Sequence, residues 1–241
     1  MNRFYVNIPL EESNKLELPI DVIKHLFALR IKNQEKIVLF NGNEYEYLAN
    51  ITSLNKKSTI VEILKKQKGI NNSSLKIQLG ISVIANDKMD LIIQKSTELG
   101  VSEIIPIISE RSQRIYLNNQ PKRLQHWQKI IISSCEQCGR NSLNKVQQPI
   151  NLSQLLIDYK NSDLKLILSP HNTTGIHSKQ TNPKTILLLV GPEGGFTNSE
   201  IELFKQHDYK TIKLGENILR AETAAIAGIS LIQTIFGDFK I

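Results

Sequence analysis

The sequence predicts a two-domain α/β protein in which a small β-rich domain precedes a larger domain built on a parallel sheet. Before residue 70, short apolar segments alternate with turn signals, and one short helical pattern lies among them. After residue 74, strand-length apolar runs alternate with helical patterns, which is typical of a parallel sheet covered by helices on both faces. A polar break over residues 65–74 separates the two regions, so we expect domains at 1–70 and 71–241.

The first region is predicted to form a small β-barrel of the kind that binds RNA. Its strands are expected at residues 3–8, 35–40, 45–52 and 58–64. A turn signal lies at 41–43, and a short amphipathic helix is expected over 21–28 with Asp21 as its cap. Four basic residues near the predicted ends of these elements are candidate RNA contacts: Arg3, His25, Arg30 and Lys32.

The second region is predicted to alternate strands and helices along a parallel sheet. Strands are expected at residues 75–84, 103–108, 164–168, 185–190 and 211–214. Helices are expected at residues 88–99, 123–138, 200–207 and 221–236. In the first of these helices, Lys95 and Glu98 are spaced i, i+3, which fits a surface ion pair as well as a functional role.

The segment 185–200 gives the clearest indication of a ligand site. Six apolar or β-branched residues predict a buried strand, which ends at Gly191 and Pro192. Gly194 and Gly195 then allow backbone angles that other residues avoid, and a helix that Thr197, Asn198 or Ser199 can cap follows. In open α/β sheets, ligands bind at such carboxyl ends of parallel strands.

A second glycine-containing turn at 214–220 also follows a short apolar strand and also leads into a helix. Two such loops at one edge of a sheet predict a pocket. The alternative for the first loop, taken alone, is a simple tight turn. Its sequence is neither a Walker loop, since no Gly-Lys-Ser/Thr follows, nor the G-x-G-x-x-G of dinucleotide-binding folds.

The charge of the chain suggests a polyanionic partner, since the formal net charge is +7 and the isoelectric point is near 9.3. Basic residues concentrate between positions 111 and 145, where Glu136 is the one acidic residue. The basic residues there are Arg111, Arg114, Lys122, Arg123, Lys129, Arg140 and Lys145. We expect a patch that contacts phosphates, and a solvated helix face is the alternative.

Other classes of protein are disfavoured. No apolar run approaches the roughly 20 residues that span a bilayer, and the N-terminus lacks the apolar core of a signal peptide, so we expect a cytoplasmic protein. Cys135 and Cys138 form a lone C-x-x-C within a helical pattern and are expected to be packing residues. The five histidines show no ligand spacing, so no metal is expected.

Six segments, taken in order, resemble those of one known family. They are RFY (3–5), HLFALR (25–30), QKSTELGV (94–101), EQCGRN (136–141), VGPEGGF (190–196) and LRAETA (219–224). They resemble the bacterial 16S ribosomal RNA uridine N3-methyltransferases of the SPOUT superfamily (the RsmE family) over essentially the whole chain. The resemblance implies a PUA-like RNA-binding barrel, a C-terminal α/β domain with a deep trefoil knot, a homodimer, and S-adenosylmethionine as the cofactor.

The resemblance also implies where the ligands bind. Three loops are expected to hold the cofactor, together with the last strand residue before the second loop. The residues are Leu168, Ser169, Pro170, Val190, Gly191, Pro192, Glu193, Gly194, Gly195, Leu214, Gly215, Ile218 and Leu219. Further RNA contacts are expected at Lys95, Arg111, Arg114, Arg123 and Arg140. The family commonly has an arginine where this chain has Asn217, so Arg220 is the remaining arginine of that loop. The family also often has Gly-Asp in a turn before a strand of the barrel, where this chain has Gln34 and Glu35.

Methylation of uridine N3 requires loss of the N3 proton and alignment of the nitrogen with the methyl group. Arg220 is the candidate for stabilising the negative charge that grows on the carbonyl oxygens of uridine. Glu222 or Glu193 can accept the proton, directly or through water, and the target base must be unpaired or flipped. The main alternative is an RNA-binding or ribosome-assembly protein without catalysis on the same scaffold. A nucleotide hydrolase is disfavoured by the missing Walker lysine.

Overall fold

The computed structural model describes residues 1–69, 74–112, 120–170 and 182–239. By their contacts, the residues separate into two compact units. The first unit comprises Met1–Asn72 and Ile132–Leu143, and the second comprises Ser73–Ile131 and Asn144–Ile241. The first unit therefore includes a short segment that is distant in sequence from the rest of it.

The first unit is built on one five-stranded sheet. Its elements are β1 (Arg3–Tyr5), β2 (Lys15–Glu17), α1 (Ile20–Ala28), β3 (Lys36–Phe40), β4 (Tyr45–Leu54) and β5 (Thr59–Lys68). The strand order is β1-β3-β4-β5-β2; β1 and β3 are parallel, and the other neighbours are antiparallel. Apolar side chains of the strands pack with Val22, Ile23 and Leu26 of α1, so one face of the helix closes the core.

Four features of this unit differ from what the sequence predicts. Strand β1 ends at Tyr5, whereas a strand was expected over residues 3–8. Helix α1 begins at Ile20 with Pro19 as its N-cap residue, so the expectation that Asp21 caps it was wrong. Pro19 presets an extended backbone before the helix, and Asp21 lies in the first turn, where the helix dipole favours a carboxylate. Strand β2 was missed because Leu16 is its single apolar residue. Strand β5 continues to Lys68, because backbone pairing with β4 does not require apolar side chains.

The second unit alternates strands and helices. Its elements are β6 (Lys76–Ser82), α2 (Asn86–Glu98), β7 (Glu103–Ile108), α3 (Gln120–Cys138), β8 (Lys145–Val146), β9 (Ile150–Asn151), α4 (Leu152–Asp158), β10 (Leu164–Leu168), β11 (Thr185–Val190), α5 (Asn198–Gln206), β12 (Lys210–Ile212) and α6 (Ala221–Phe236). The last residues of α3 belong to the first unit. All strand pairings are parallel, in the order β12-β10-β11-β6-β7-β8 with β9 beside β7. The predicted parallel α/β sheet is thus confirmed.

The centre of this sheet is apolar, as the continuous apolar runs of its strands predict. All residues of β11 after Thr185 are buried. Gly80 of β6 allows close packing there, because a Cβ at this position would overlap Leu189 and lie 2.8 Å from Cδ1 of Ile107. Elements β8, β9 and α4, for which no prediction was made, are short, and the Oδ1 of Asn151 caps α4 by accepting the Gln154 N–H at 2.8 Å.

The segment Ile132–Leu143 is fastened to β1 within the first unit. The backbone N–H of Tyr5 donates to Oε1 of Glu136 at 3.0 Å. Arg3 forms an ion pair with Glu46 of β4 at 2.6 Å, and its other terminal nitrogen donates to Oδ1 of Asn141. The two contacts that reach Glu136 and Asn141 join residues more than 130 positions apart, so they tie the end of α3 and the residues after it to the first strand.

The half-buried carboxyl of Glu136 makes the stability of this unit depend on pH. Burial raises the pKa of Glu136, and the Tyr5 N–H and His25, whose Nδ1 lies 3.8 Å away, act against that rise. A carboxyl whose pKa is higher in the folded state binds more protons there, so its contribution to stability grows as pH falls. We expect the free energy of unfolding of the wild type, relative to Glu136→Gln, to rise as pH falls toward the ordinary pKa of 4.5.

Urea unfolding of both proteins at a series of pH values measures this difference. It changes by about 1.4 kcal/mol for each pH unit that separates the raised pKa from the ordinary one. The variant keeps an acceptor oxygen for the Tyr5 N–H, so it removes only the titrating charge. Repeating the comparison in a His25→Asn background removes the neighbouring titrating group. A difference that does not vary with pH would contradict the prediction.

Candidate functional site

The loops that follow β10, β11 and β12 begin side by side at one edge of the parallel sheet. Strand β10 pairs with β11 on one side and with β12 on the other, with Ile167 opposite Leu189 and Leu168 opposite Ile212. The pairing continues past the end of β10, because the Ser169 N–H donates to the Ile212 carbonyl at 3.0 Å. Since the strands are parallel, their carboxyl ends coincide. The three loops expected to hold a cofactor therefore start together. The structure describes the first of them as far as Pro170.

Gly191 and Gly195 shape the loop between β11 and α5. A Cβ at Gly191 would lie 3.0 Å from the backbone nitrogen of Phe196, so the loop folds back on itself more closely than a side chain allows. Gly195 has φ +67°, in the left-handed region that favours glycine, and its N–H donates to the Pro192 carbonyl at 2.8 Å. A Cβ at Gly195 would meet nothing within 4 Å, so open space adjoins the loop at this point.

The loop ends in a capping box at the start of α5. Of the three candidate caps, the structure selects Thr197, whose side chain accepts the Glu200 N–H at 3.3 Å. One Glu200 carboxylate oxygen accepts the Thr197 N–H at 2.8 Å, and the other accepts the Glu110 N–H at 2.8 Å. Buried Glu200 therefore ties the N-terminus of α5 to Glu110, two residues beyond the end of β7.

Two cations from other elements hold the same loop. In the first turn of α2, Lys88 donates from Nζ to Oε1 of Glu193 at 2.9 Å. Beyond the end of β7, Arg111 donates from Nη1 to the carbonyl oxygen of Gly194 at 2.5 Å. A Cβ at Gly194 would lie 3.2 Å from Cδ of Arg111, so glycine lets this side chain approach the backbone. The expected RNA contact of Arg111 stays a prediction, while its guanidinium already binds the loop.

The loop between β12 and α6 presents apolar side chains beside a second left-handed glycine. Gly215 has φ +77° and open space where a Cβ would lie. Ile218 is 83% exposed, and Leu214 and Leu219 are half-buried, as is Leu168 at the end of β10. The neighbouring loops therefore offer apolar surface and open space at the same edge of the sheet, which suits a ligand with an apolar face.

Arg220 and Glu222 lie at the start of α6. Arg220 is the N-cap residue and is exposed, and Glu222 lies in the first turn, where the helix dipole favours a carboxylate. Oε2 of Glu222 is buried and has no hydrogen-bond partner among the described residues. Leaving a buried acceptor unsatisfied costs about 1–3 kcal/mol. The oxygen thus marks a place where a donor from outside the chain would fit.

The RNA-contact candidates of the first unit differ in how accessible they are. Arg30 and Lys32 are exposed, and Arg30 adopts a left-handed conformation with φ 56°. His25 is partly exposed and packs edge-on against Phe4. Arg3 is only 14% exposed and is engaged by the contacts that fasten β1. These contacts of Arg3 indicate a structural role in the first unit.

The remaining RNA-contact candidates are divided between the units. Lys95 donates to both oxygens of Glu98 at 2.9 Å, which is the surface pair that the spacing allows. Arg123, in the second unit, and Arg140, in the first, are half-buried. Arg114 lies outside the described residues. The basic stretch over 111–145 therefore contributes residues to both units, and its contact with RNA stays a prediction.

The cysteines have the environment of packing residues. Cys135 is buried, and burial raises its pKa to about 12, so its thiol stays protonated. Within residues 1–69, 74–112, 120–170 and 182–239, no three histidine, cysteine or carboxylate side chains are grouped as a metal site. None of the described helices combines the length and the apolar character needed to cross a membrane.

A separate cavity of about 450 Å³ opens in the first unit. It is lined by Asn7, Ile8, Pro9, Leu10, Glu11, Asn41 and Asn43. None of these residues belongs to the three loops, so this cavity is distinct from the site at the sheet edge. The site formed by the three loops is open to solvent, since a large apolar side chain such as Ile218 is exposed there.

Lys88 and Glu200 are residues of the site that were not among the sequence candidates. For Glu200 the signal was present, because Thr-x-x-Glu before an apolar pattern is a capping box. For Lys88 the signal is weaker: it is a basic residue in the first turn of a helix, where the dipole disfavours a cation. Its pairing with Glu193, 105 residues away, depends on the tertiary fold.

Comparison with known proteins defines the class to which this fold and site belong. Residues 71–233 match the family model of the RNA methyltransferase domain, and residues 20–64 match that of the RNA methyltransferase PUA domain. The first of these matches spans the parallel sheet and all three loops. The class is therefore that of the RNA methyltransferases with an N-terminal PUA domain.

Individual relatives narrow the class to one family. The chain is 39% identical over 219 residues to the ribosomal RNA small subunit methyltransferase E of Buchnera aphidicola subsp. Schizaphis graminum, covering 88% of this chain and 87% of that protein. It is 35% identical to the protein of the same name from Rickettsia conorii, covering 97% and 96%. The chain belongs to the ribosomal RNA small subunit methyltransferase E family, which confirms the resemblance drawn from its motifs.

Two solved structures are similar to this chain along nearly its full length. One is the ribosomal RNA small subunit methyltransferase E of Neisseria gonorrhoeae bound to S-adenosylmethionine, with TM-score 0.93, 38% identity and complete coverage of both chains. The other is a putative methyltransferase from Legionella pneumophila in complex with the same cofactor, with TM-score 0.91, 36% identity and 98% coverage of each chain.

The capping box at α5 predicts a measurable loss of stability. We expect Thr197→Ala to lower the free energy of unfolding by about 0.5–2 kcal/mol, because the Glu200 N–H loses its acceptor. Ser199→Ala is the matched control, since it removes an exposed hydroxyl from the same turn without removing the cap. Its effect should stay within about 0.5 kcal/mol. Equal effects of the two substitutions in urea unfolding would mean that the cap is not stabilising.

Proposed function

We propose that this protein transfers a methyl group from S-adenosylmethionine to N3 of a specific uridine in the 16S ribosomal RNA of the small ribosomal subunit. The observation that carries the proposal is the meeting of the three loops after β10, β11 and β12 at one edge of the sheet. It is supported by the 38% identity, over the full chain, to a family member crystallised with S-adenosylmethionine.

The residues of the three loops fit this cofactor. Gly195 and Gly215 leave open space where a side chain would stand, so backbone groups can approach a ligand. Leu168, Leu214, Ile218 and Leu219 offer apolar contact to an adenine ring, while backbone groups of the two glycine loops can bind its polar atoms. The cofactor-binding set is the one expected from the sequence, residues 168–170, 190–195, 214, 215, 218 and 219. When bound, S-adenosylmethionine supplies a methyl group on a positively charged sulfur.

Of the two candidate proton acceptors, Glu222 has the more suitable environment. Oε2 of Glu222 is buried and unpaired among the described residues, so it can accept a proton without first breaking a bond. Glu193 is engaged by Lys88 at 2.9 Å, so its Oε1 already accepts a hydrogen bond. We therefore assign proton acceptance from uridine N3 to Glu222, directly or through water, and leave Glu193 in the loop that holds the cofactor.

Arg220 is proposed to stabilise the negative charge that grows on the uridine carbonyl oxygens as the N3 proton leaves. It is exposed at the N-cap of α6, two residues before Glu222, so both side chains start from the same turn of backbone. A fixed cation acts most strongly on charge that develops in the transition state. Orientation of the base against the methyl group supplies much of the remaining rate, about 7–11 kcal/mol for a well-placed pair.

The proposed RNA partner fits the charge of the chain. The net charge is +7, and exposed Arg30 and Lys32 in the first unit can neutralise phosphates. His25, Lys95, Arg111, Arg114, Arg123 and Arg140 remain proposed contacts. The target uridine must be unpaired or flipped for its N3 to reach Glu222. The family resemblance further supports a homodimer, a trefoil knot in the methyltransferase domain and a cytoplasmic location.

Methyl transfer to isolated small ribosomal subunits tests the function. Subunits come from a strain that lacks this protein, the methyl group of S-adenosylmethionine is radiolabelled, and the nucleosides of the product RNA are separated. We expect one labelled nucleoside, N3-methyluridine. Label at another position would contradict the proposed specificity, and RNA binding without transfer would favour the non-catalytic alternative.

The first prediction from this function concerns cofactor affinity. We expect Gly195→Val to abolish S-adenosylmethionine binding, because a β-branched residue does not adopt φ +67° and its side chain would fill the space beside the loop. Gly42→Val is the matched control: Gly42 also has a positive φ and open space around its Cβ, but lies in a turn of the first unit. Calorimetry should give normal affinity for the control. Unchanged affinity in folded Gly195→Val would remove this loop from the cofactor site.

The second prediction separates the roles of Arg220 and Glu222. We expect Arg220→Ala to lower the single-turnover rate by about a hundred- to a thousandfold, and Glu222→Gln to lower it by about a hundred- to ten-thousandfold. Cofactor affinity and the thermal midpoint should change little, because neither side chain is assigned a contact with the cofactor. Arg220→Lys tests whether charge alone suffices. If a lower thermal midpoint fully accounts for the loss of rate, the residue concerned has a structural role and the prediction fails.

A further inference from the structure

The cavity of about 450 Å³ in the first unit has no part in the proposed chemistry. It lies at the end of the five-stranded sheet where β1 and β3 finish and β4 begins, because Asn7 lies beyond β1, Asn41 follows β3 and Asn43 precedes β4. Its volume falls in the range of about 300–1,000 Å³ that is typical of small-ligand sites. The first unit therefore has a concave surface large enough to receive one nucleotide.

Hydrogen bonds fix the shape of this cavity. Nδ2 of Asn41 donates to the Ile8 carbonyl at 3.1 Å, which joins the two walls. Nδ2 of Asn43 donates to the hydroxyl of fully buried Tyr47 at 2.9 Å, and Leu10 of the other wall packs in the core of the unit. Asn41 and Asn43 therefore hold the turn that forms one wall, which is a structural role.

Asn7 and Glu11 are exposed lining residues whose side chains are only lightly engaged. Oδ1 of Asn7 accepts from the Tyr5 hydroxyl at 3.5 Å, and Oε2 of Glu11 accepts from Nδ2 of Asn14 at 3.4 Å. An amide offers donors and acceptors, and a carboxylate offers acceptors. These are the groups that bind base edges in nucleic-acid recognition, since asparagine pairs with adenine and a carboxylate accepts from the amino group of cytosine.

Beside the cavity, β4 and β5 present an aromatic ring and two lysines. Tyr45, two residues after Asn43, is 36% exposed, and Nζ of Lys66 lies 4.3 Å from the centroid of its ring. Tyr45 lies opposite exposed Lys68 in the pairing of β4 with β5, and Glu44 is the exposed carboxylate of the same turn. Proteins bind single-stranded RNA with such combinations of cations for the backbone and aromatic rings for the bases.

We propose that this cavity binds one unpaired nucleotide of RNA whose base carries an exocyclic amino group, as adenine, cytosine and guanine do and uracil does not. This inference rests on the proposed RNA partner. Asn7 and Glu11 bind the edge of the base, while Lys66 and Lys68 neutralise neighbouring phosphates and Tyr45 contacts the adjoining base. Glu11 disfavours a phosphate inside the cavity, and the two lysines disfavour a cationic peptide beside it.

Binding of the full chain to fluorescently labelled single-stranded RNA tests the inference. The probes are ten-nucleotide oligomers of cytidine and of uridine, two pyrimidines that differ in the amino group. We expect the wild type to bind the cytidine oligomer about five- to a hundredfold more tightly, because that is the discrimination a base contact of this kind provides. Asn7→Ala and Glu11→Ala should each bring the ratio of the two affinities toward one.

The two lysines give a second readout, because phosphate contacts carry no base preference. Lys66→Gln and Lys68→Gln should weaken binding of both oligomers equally. Each should also reduce the slope of log affinity against log salt by about 0.7. Lys160→Gln is the matched control, since Lys160 is an exposed lysine of the second unit in the turn between α4 and β10, and it should change neither quantity.

Asn55→Ala is the matched control for Asn7→Ala. Asn55 is exposed in the turn between β4 and β5, at the opposite end of the sheet from the cavity, and its side chain bonds the Ser53 hydroxyl at 3.2 Å. It should keep the wild-type preference, and a thermal midpoint for every protein separates loss of binding from loss of fold.

Equal affinity of the wild type for the two oligomers, or an unchanged preference in Asn7→Ala and Glu11→Ala, would overturn the inference. Methyl transfer to small ribosomal subunits distinguishes this failure from that of the proposed function. Transfer without a base preference removes the cavity site alone, whereas a preference that depends on Asn7 and Glu11 without transfer removes the function alone.

Discussion

The candidate site depends on the parallel pairing of β10 between β11 and β12. Parallel neighbours end on the same side of a sheet, so the three loops after them meet without any further contact being required. The central strands can pair in this way because their side chains are apolar in both directions. Gly80 and Gly228 then let the neighbouring strands and α6 pack closely against them. The packing of the apolar strands in the second unit thus determines where the loop residues of the candidate site lie.

Once the loops meet, side chains from outside them determine their shape. Glu200 ties α5 to Glu110, Lys88 binds Glu193, and Arg111 binds the Gly194 carbonyl. Glycine supplies the left-handed and closely packed positions, but a glycine-rich loop is also the least ordered kind in the unfolded chain. Contacts from α2 and from the residues after β7 offset that entropy. The basic residues of this chain therefore have at least two roles, since Arg111 and Lys88 hold a loop while Arg30 and Lys32 face solvent.

The pattern of apolar residues was sufficient to predict the parallel sheet and most helices, because burial determines that pattern. Both glycine loops were predicted from their glycine and proline residues, which end a strand and permit a turn. The apolar pattern was not sufficient for β2, β8 and β9, which contain too few apolar residues to show a period. The local cap of α1 was mispredicted because Pro19 presets the backbone before Asp21 can act. The ion pair of Lys88 with Glu193 was inaccessible to sequence reasoning, because nothing local to either residue reports on the other. The six family motifs supplied what periodicity did not, namely the chemistry assigned to the loops.

The environment of Glu222 supports the proposal that proton transfer takes place at the start of α6. A folded chain normally pairs its buried polar atoms, and an unpaired one costs stability that packing elsewhere must offset. Oε2 of Glu222 is such an atom within the described residues, although the chain provides donors nearby in Lys88 and Arg220. Lys88 is held by Glu193, and Arg220 is exposed at the helix N-cap. Oε2 of Glu222 therefore has no hydrogen-bond partner within the described residues, which leaves it available for the proton acceptance that we propose.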